Sequence, residues 1–322
     1  METVKWGIIG CGDVAEVKSG PAFQNVKGSE LIGVMRRNGE KAKDFAKRHG
    51  VLMWTNSAED LLKNDEINAI YIATPPSTHL AYAKAALEAG KDVYLEKPMA
   101  LTSEEAEKIV AMVKNSNNKL SVAHYRRKLP AFKEVKKLLI ENTIGSVLFA
   151  DIQILQPRNS DIVANSEENW RLNPAVSGGG YFYDLAPHQI DLMYYYFGAF
   201  DKIDGYATGQ NNKVEDTVNG IIRFNNGVQF RGVWNFTAPD NCKKEECVIY
   251  GTKGSIRFSF YGDKVILNNQ AGETVFKFQN PKHIQQPMIE AVVAYFLGKA
   301  KNPCPAEDGL TVMQAMEKLS GR

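Results

Sequence analysis

The sequence lacks the features that mark several classes of protein. Its four cysteines form no C-x-x-C pair and have no histidine close by, so we expect neither a metal site nor a disulfide framework. No apolar run is long enough to span a bilayer and nothing resembles a signal peptide, so the expected location is the cytoplasm. The formal net charge is only +2, and this balance favours neither nucleic acid nor an anionic membrane as a partner.

The composition that remains is that of an ordinary globular protein, with 44% hydrophobic and 24% charged residues among 322. Up to about residue 123, short apolar strands alternate with helices, which predicts an α/β fold with a doubly wound parallel (Rossmann) sheet. Strands then dominate, which predicts an α+β domain with a large open, mostly antiparallel sheet. The expected domains are 1–123 for a dinucleotide and 124–322 for substrate and self-association, and the C-terminal helices are free to pack back on the first.

The first dozen residues carry the strongest single pattern. An apolar run, Val4 to Ile9, predicts a strand buried on both faces, and Gly10, Gly12 and Ala15 follow it at the spacing of a dinucleotide-binding fingerprint. Gly10 suits a tight turn, Gly12 allows backbone to approach a pyrophosphate, and Ala15 lets the next helix pack close to the strand. The N–H groups at the start of that helix favour phosphate, so we expect a nucleotide here.

The segment after the fingerprint bears on cofactor choice. It predicts a crossover helix over about 14–27, broken or kinked at Gly20-Pro21, and a second strand over Leu31 to Met35. In dinucleotide-binding folds an acidic residue at the end of this strand binds the ribose 2′-OH of NAD. Here Arg36 and Arg37 follow instead, and two guanidinium groups can clamp a 2′-phosphate, so NADP is the expected cofactor and NAD the alternative. The competing interpretation is that the arginines only cover the sheet edge.

A glycine-led stretch, Ser177 to Asp191, holds the best candidates for catalysis. Its three glycines allow a sharp bend or a close approach to a ligand. A helix is predicted to start near Asp184 or Pro187, and on a helix Asp184 and His188 are four residues apart, on the same side. An aspartate beside a histidine can orient the imidazole and favour its charged form. The alternative is that the aspartate caps the helix and the histidine fills the core.

Two further places are predicted to border the cofactor, because each lies at the carboxyl end of a predicted parallel strand. Thr74 and Pro75 follow one strand, with His79 close behind, and Lys97 follows another. The Lys97 ammonium can hydrogen-bond a substrate hydroxyl and stabilise an alkoxide. The alternative for Lys97 is a surface pair with Glu96.

Five motifs occur in order along the chain: Gly10-x-Gly12-x-x-Ala15, Glu96-Lys97-Pro98, Trp170-Arg171, Gly178-Gly179-Gly180-x-x-x-Asp184-x-x-x-His188-x-x-Asp191, and Gly251-Thr252-Lys253-Gly254-Ser255. Together they resemble the glucose–fructose oxidoreductase / inositol dehydrogenase (Gfo/Idh/MocA) family over nearly the whole chain. The resemblance implies NAD(P)-dependent oxidation or reduction of sugars, polyols or cyclitols. It also implies that the lysine of the second motif and the aspartate and histidine of the fourth act at the substrate.

The resemblance completes the prediction of function: hydride transfer between a nicotinamide and a carbohydrate-like hydroxyl or carbonyl. The expected catalytic residues are Lys97, Asp184 and His188. The expected cofactor-binding residues are Gly10, Cys11, Gly12, Asp13, Val14, Arg36, Arg37, Thr74, Pro75, His79, Glu96, Lys97, Trp170 and Arg171. A dihydrodiol or related reductase of the same family is one alternative, and a catalytically silent NADP-binding sensor is the other.

The sequence of the second domain also predicts self-association and indicates which segments determine substrate specificity. Its strands carry apolar residues at both odd and even positions, and therefore on both faces of the sheet. Examples are Phe224, Phe230, Val233, Trp234 and Phe236. An apolar sheet face left in water is an exposed patch of unusual size, so a homodimer or homotetramer through the open face is expected. Specificity is expected to depend on this sheet and on the loop around 156–170.

Overall fold

A computed structural model describes residues 2–162, 169–209 and 214–322. The chain divides into two compact units, Met1–Tyr125 with Pro281–Met313, and Arg126–Asn280 with Gln314–Arg322. The loop around 156–170, predicted to govern substrate choice, lies partly outside the described residues, which stop at 162 and resume at 169.

The first unit contains a six-stranded parallel sheet. Its strands are β1 (Val4–Ile9), β2 (Ser29–Met35), β3 (Met53–Thr55), β4 (Ala69–Ile72), β5 (Asp92–Leu95) and β6 (Leu120–Val122). They lie in the order β3-β2-β1-β4-β5-β6, and β4, β5 and β6 are buried along their whole length. The strand order reverses between β1 and β4, which is where such sheets bind ligands. The predicted Rossmann sheet is therefore confirmed.

The helices that follow these strands are α1 (Gly20–Asn25), α2 (Gly39–His49), α3 (Ala58–Leu62), α4 (His79–Glu88) and α5 (Ser103–Lys114). The break predicted in the first crossover helix takes the form of a change in helix type, because a π-helical turn, Ala15–Ser19, precedes α1. Glycine is needed at the junction, since a Cβ on Gly20 would lie 2.5 Å from the carbonyl oxygen of Ala15.

The second unit contains an eight-stranded, mostly antiparallel sheet. Its strands are β7 (Val147–Leu155), β8 (Phe200–Thr208), β9 (Thr217–Phe224), β10 (Gln229–Asn235), β11 (Lys244–Gly251), β12 (Gly254–Phe258), β13 (Lys264–Asn269) and β14 (Gly272–Lys277). They lie in the order β14-β13-β12-β11-β7-β10-β9-β8, and β10 pairs with β7 in parallel. The helices between these strands and before them are α6 (Pro130–Ile140), α7 (Pro174–Ser177) and α8 (Tyr181–Phe197). This confirms the predicted mixed α/β architecture.

Of the five apolar residues named for the strands of this sheet, Val233 is partly exposed and the other four lie on the covered face. Phe224, Phe230, Trp234 and Phe236 are all buried. The register explains why: Phe230 and Trp234 pair with Ile222 and Val218 on β9, so all four share the covered face. The exposed apolar side chains of the sheet are instead Leu148, Phe149, Tyr206, Ile221, Tyr250 and Val275.

The tail is helical, as predicted, with α9 (Gln286–Phe296) and α10 (Ala306–Ser320). The segment between them extends the first unit beside β6, where the Val122 N–H donates to the Cys304 carbonyl at 2.9 Å.

Within the described part of the chain, no helix combines the length and the apolar character needed to cross a membrane.

Candidate active site

The fingerprint loop after β1 has the backbone shape that a bound pyrophosphate needs. Gly10 has φ +98°, and a Cβ there would lie 2.9 Å from the backbone carbonyl of Ala73. The N–H groups of Gly10 and Cys11 both donate to the carbonyl oxygen of Met35, at 2.9 and 3.0 Å, and this fixes the turn. Around Gly12 the nearest described atoms lie beyond 4 Å of an added Cβ, so this side of the loop is open. The loop therefore fits a phosphate group.

Asp13 and Val14 form the first turn of the helix that follows, and Asp13 is exposed. Cys11 is buried, and burial raises the pKa of its thiol to about 11 against the opposing influence of the Arg36 guanidinium. Arg36 is thus close enough to the loop for its charge to act there. Arg37 is exposed, whereas Arg36 is partly buried and lies near enough to Cys11 for its charge to oppose the rise in the pKa of the thiol.

Sequence reasoning missed a charged cluster beside this loop. Arg48, in the last turn of α2, donates to both carboxylate oxygens of Glu16, at 2.5 and 3.0 Å, and His49 contacts Glu16 at 2.8 Å. The hydrogen bond from Arg48 lowers the pKa of Glu16. Because Glu16 directly follows Ala15, its charge sits at the helix start that would face phosphate, and Arg48 compensates it. The sequence places Glu16 next to the fingerprint, but nothing in the sequence indicates that Arg48 is its partner.

His79 is fully buried at the start of α4. Its two ring nitrogens lie 2.8 Å from the Thr74 carbonyl oxygen and 3.0 Å from the Pro98 carbonyl oxygen. Burial lowers the pKa of the imidazole. His79 thus joins the loop after β4, with Thr74 and Pro75, to the loop after β5. Any influence on a cofactor passes through these two loops.

Glu96 follows β5 directly, and its carboxylate is buried. One oxygen accepts hydrogen bonds from the Tyr71 hydroxyl at 2.5 Å and from the Gln285 amide at 2.7 Å. The other accepts from the backbone N–H of Lys97 at 3.1 Å. Lys97 itself is half-buried, and its peptide bond to Pro98 is cis. Glu96 therefore fixes the backbone on which Lys97 is carried.

In the second unit, Trp170 and Arg171 form a 3-10 turn that reaches α8. The Arg171 guanidinium stacks over the Trp170 ring, with 4.5 Å between the guanidinium carbon and the ring centroid. Its Nε donates to Asp184 Oδ2 at 2.8 Å, and both side chains are largely buried. Both residues were predicted as cofactor ligands, and Arg171 also binds the predicted catalytic Asp184 and so orients its carboxylate.

α8 begins earlier than expected, at Tyr181 rather than at Asp184 or Pro187. Gly178, with φ +85°, ends α7, and the extended Gly180 opens the new helix, so the glycine run itself is the boundary. Pro187 is tolerated inside the helix although it has no N–H for the Tyr183 carbonyl. His188 is buried, and it lies one turn after Asp184.

A second buried acid on α8 was also missed. Asp191 accepts from Arg127 through both carboxylate oxygens, with contacts of 3.0, 3.0 and 2.6 Å. Both side chains are almost fully buried. The two residues lie 64 positions apart in the sequence, so no local pattern indicated that they pair. Among the described residues, no group of three or more histidine, cysteine or acidic side chains is placed to hold a metal.

Two family models match successive parts of the chain. Residues 4–124 match the oxidoreductase family with an NAD-binding Rossmann fold, and residues 132–257 match the GFO/IDH/MocA C-terminal domain. Oxidoreductase P35 of Formosa agariphila is 52% identical over 99% of this chain and 98% of its own length. The 1,5-anhydro-D-fructose reductase of Ensifer adhaerens is 25% identical over 95% and 92% of the two chains.

Solved structures extend the comparison to the whole fold. A levoglucosan dehydrogenase in complex with NADH and levoglucosan superposes with a TM-score of 0.87, at 24% identity, over 98% of this chain and 96% of that one. At this identity the match concerns the fold. The two family matches and the relative with 52% identity decide membership. The chain therefore belongs to the Gfo/Idh/MocA family of oxidoreductases and carries the family's NAD-binding Rossmann domain.

Proposed function

We propose that this protein is an NADP-dependent dehydrogenase or reductase acting on a CH–OH group, or the matching carbonyl, of a sugar, polyol or cyclitol. The observation that carries the proposal is α8, where Asp184 and His188 lie one turn apart and Arg171 holds the aspartate. An ionised carboxylate next to a histidine is suited to proton transfer. Relatives named for anhydrosugars support a carbohydrate-like substrate.

The nucleotide-binding residues fit the cofactor that the family domain implies. The open backbone at Gly12 and the helix start at Asp13 and Val14 would hold the pyrophosphate. Arg36 and Arg37 would bind the 2′-phosphate of NADP, and the proximity of the Arg36 charge to Cys11 in the fingerprint supports this. When bound, the nicotinamide would supply a site that accepts or gives a hydride.

The chain's own side chains would handle the proton and the charge on the substrate oxygen. His188 Nε2 or Nδ1 would take the hydroxyl proton during oxidation and return it during reduction. Histidine suits this role because the reference pKa of an unperturbed imidazole, about 6.5, lies near working pH. Asp184 would orient the ring and stabilise its charged form, and the Lys97 ammonium would stabilise negative charge on the oxygen.

A substrate panel tests the proposal. Aldoses, anhydrosugars, inositols and their oxidised forms are offered with NADP⁺ or NADPH, and turnover is followed by nicotinamide absorbance. We expect turnover on at least one of these compounds, with a dihydrodiol included to test the alternative reductase. Normal cofactor binding without turnover on any compound would leave the silent sensor as the better description.

We also propose that the open face of the second sheet joins two copies of the chain. Phe149 and Tyr250 stack there with ring centroids 4.6 Å apart, and Ile221 and Tyr206 are 53% and 82% exposed. A face with this apolar content is typical of a protein interface. Light scattering at micromolar concentration is expected to give a multiple of the 35.8 kDa chain mass. A monomer mass would contradict this part of the proposal.

A further inference from the structure

The end of α10 is built to send one side chain back to the glycine run. Gly321 has φ +76°, its N–H donates to the Lys318 carbonyl, and the Arg322 N–H donates to the Glu317 carbonyl at 2.9 Å. This is the Schellman arrangement that ends many helices, in which a left-handed glycine reverses the chain. The reversal fixes the direction in which Arg322 leaves the helix.

The same turn is anchored on the sheet through a notch made of two glycines. Gly205 on β8 and Gly220 on β9 are directly paired across the strands. A Cβ on either would clash with Leu319, on its backbone at Gly205 and on its side chain at Gly220. Leu319 is fully buried in this notch. The helix end therefore cannot slide along the sheet without losing this fit.

From this anchored position Arg322 makes three contacts around the start of α8. Its guanidinium donates to the carbonyl oxygen of Gly178 and to the carboxylate of Glu215, and it lies 5.0 Å from the centroid of the Tyr183 ring. The Glu215 side chain is only 9% exposed, and its second oxygen accepts from the Gly180 N–H at 3.3 Å. Two of the three glycines are thus held by one ion pair.

Neighbouring contacts carry this restraint into α8. The Tyr183 hydroxyl is 3.0 Å from the Ser320 hydroxyl, so the first turn of α8 is tied to the same helix end. On the other side of the run, the Ser177 hydroxyl donates to the carbonyl of Arg171, whose guanidinium binds Asp184. The glycine run cannot move without disturbing either the start of α8 or the partner of its aspartate.

We propose that Arg322 and Glu215 are positioning residues that set the placement of Asp184 and His188, an inference that rests on the function proposed above for those two side chains. Neither positioning residue touches the reacting groups. Gly180 has no side chain with which to cap the helix, and the ion pair instead fixes the backbone at the helix start, through the Gly178 carbonyl and the Gly180 N–H. A catalytic helix that starts at flexible glycines needs such an external restraint to keep its geometry.

The test compares Arg322→Met with Lys318→Met, which removes an exposed positive charge one turn earlier on the same helix. Arg322→Met is expected to lower kcat by about tenfold, since small displacements of catalytic groups have effects of this size or larger. The Kd for NADPH is expected to stay unchanged, and so is kcat in Lys318→Met. Arg322→Lys should recover kcat only in part, because an ammonium lacks the fork that reaches both partners.

A second readout works without turnover. The chain has five histidines, so the ring-proton NMR signals are few, and the His188 signal can be assigned with a His188→Gln variant. We expect the His188 signal and its titration midpoint to shift in Arg322→Met and, less strongly, in Glu215→Gln, and to stay fixed in Lys318→Met. If wild-type protein turns over no substrate, the proposed function fails, and this measurement still decides the positioning role.

Two results would overturn the inference. One is a wild-type His188 signal and wild-type kcat in both Arg322→Met and Glu215→Gln. The other is a lower Tm in these variants without a change in kcat or in the His188 titration, which would mean that the ion pair only stabilises the fold. If Arg322→Met fails to fold, the milder Arg322→Lys and Glu215→Gln variants carry the comparison.

Discussion

The buried acids of the two units are held in different ways. Glu96, in the dinucleotide-binding unit, accepts hydrogen bonds from a tyrosine hydroxyl, a glutamine amide and a backbone N–H. Asp184 and Asp191, on α8, are each bound by a guanidinium group. Neutral donors orient a carboxylate and leave its charge in place, whereas an arginine also compensates the charge.

This difference fits the tasks proposed for the two regions. Glu96 orders the backbone of Lys97, and for that purpose the direction of its hydrogen bonds matters most. On α8 the acids lie beside a histidine that is proposed to gain and lose a proton. Guanidinium partners place a positive charge beside each aspartate and hold both carboxylates in a fixed orientation on the helix that carries the imidazole.

The largest effect is expected where α8 performs its proposed chemistry. His188→Ala should lower kcat by about 10²–10⁴-fold, the usual range for loss of an acid–base group. Cofactor affinity should change little, because His188 belongs to the second unit. Stopped-flow measurement of hydride transfer is the appropriate assay. Transfer at the wild-type rate from pH 6 to 9 would show that another group moves the proton.

The next effect concerns stability and contrasts a buried ion pair with an exposed one. Arg127→Met leaves Asp191 buried without its guanidinium and should lower the free energy of unfolding by about 3–5 kcal/mol. Arg231→Met removes the partner of Asp151. Because the Arg231 side chain is 63% exposed, this change should lower the free energy of unfolding by at most about 1 kcal/mol. Urea denaturation of both variants gives the comparison. Equal losses would contradict the importance assigned to burial.

Cofactor choice is the third prediction and probes the first unit. The double change Arg36→Ala and Arg37→Ala should weaken NADPH binding by roughly tenfold to a hundredfold, the value of a charge-assisted phosphate contact of about 1.5–3 kcal/mol. NADH binding should be nearly unaffected. Fluorescence titration with both cofactors measures this. Equal affinity of the wild type for NADH and NADPH would refute the preference.

The smallest effect is expected at the neutral donors of Glu96. Tyr71→Phe removes one hydrogen bond to a buried carboxylate and should cost about 1–3 kcal/mol of unfolding free energy. Tyr94→Phe is the matched control, because Tyr94 is equally buried but its hydroxyl reaches Gln285 only at 3.4 Å. Thermal unfolding should separate the two variants. A larger loss in Tyr94→Phe would mean that the network depends on Gln285 more than on the direct bond.

Much of the architecture was decided by the sequence alone. The apolar run Val4–Ile9 and the strand–helix alternation of the first unit are local patterns, and the structure has them where they were expected. Such patterns depend on a few neighbouring residues, whose backbone preferences and side-chain periodicity act in any context. The fingerprint loop could be predicted from the sequence for the same reason.

Tertiary structure alone decided the partners of the functional groups. Arg171 meets Asp184 across 13 residues, Arg127 meets Asp191 across 64, and Gln285 meets Glu96 across 189. The covered face of the second sheet likewise followed from strand register, which a single strand does not reveal. These contacts depend on how distant segments pack and not on local preference. The candidate residues could therefore be read from the chain, whereas the groups that hold them in place could not.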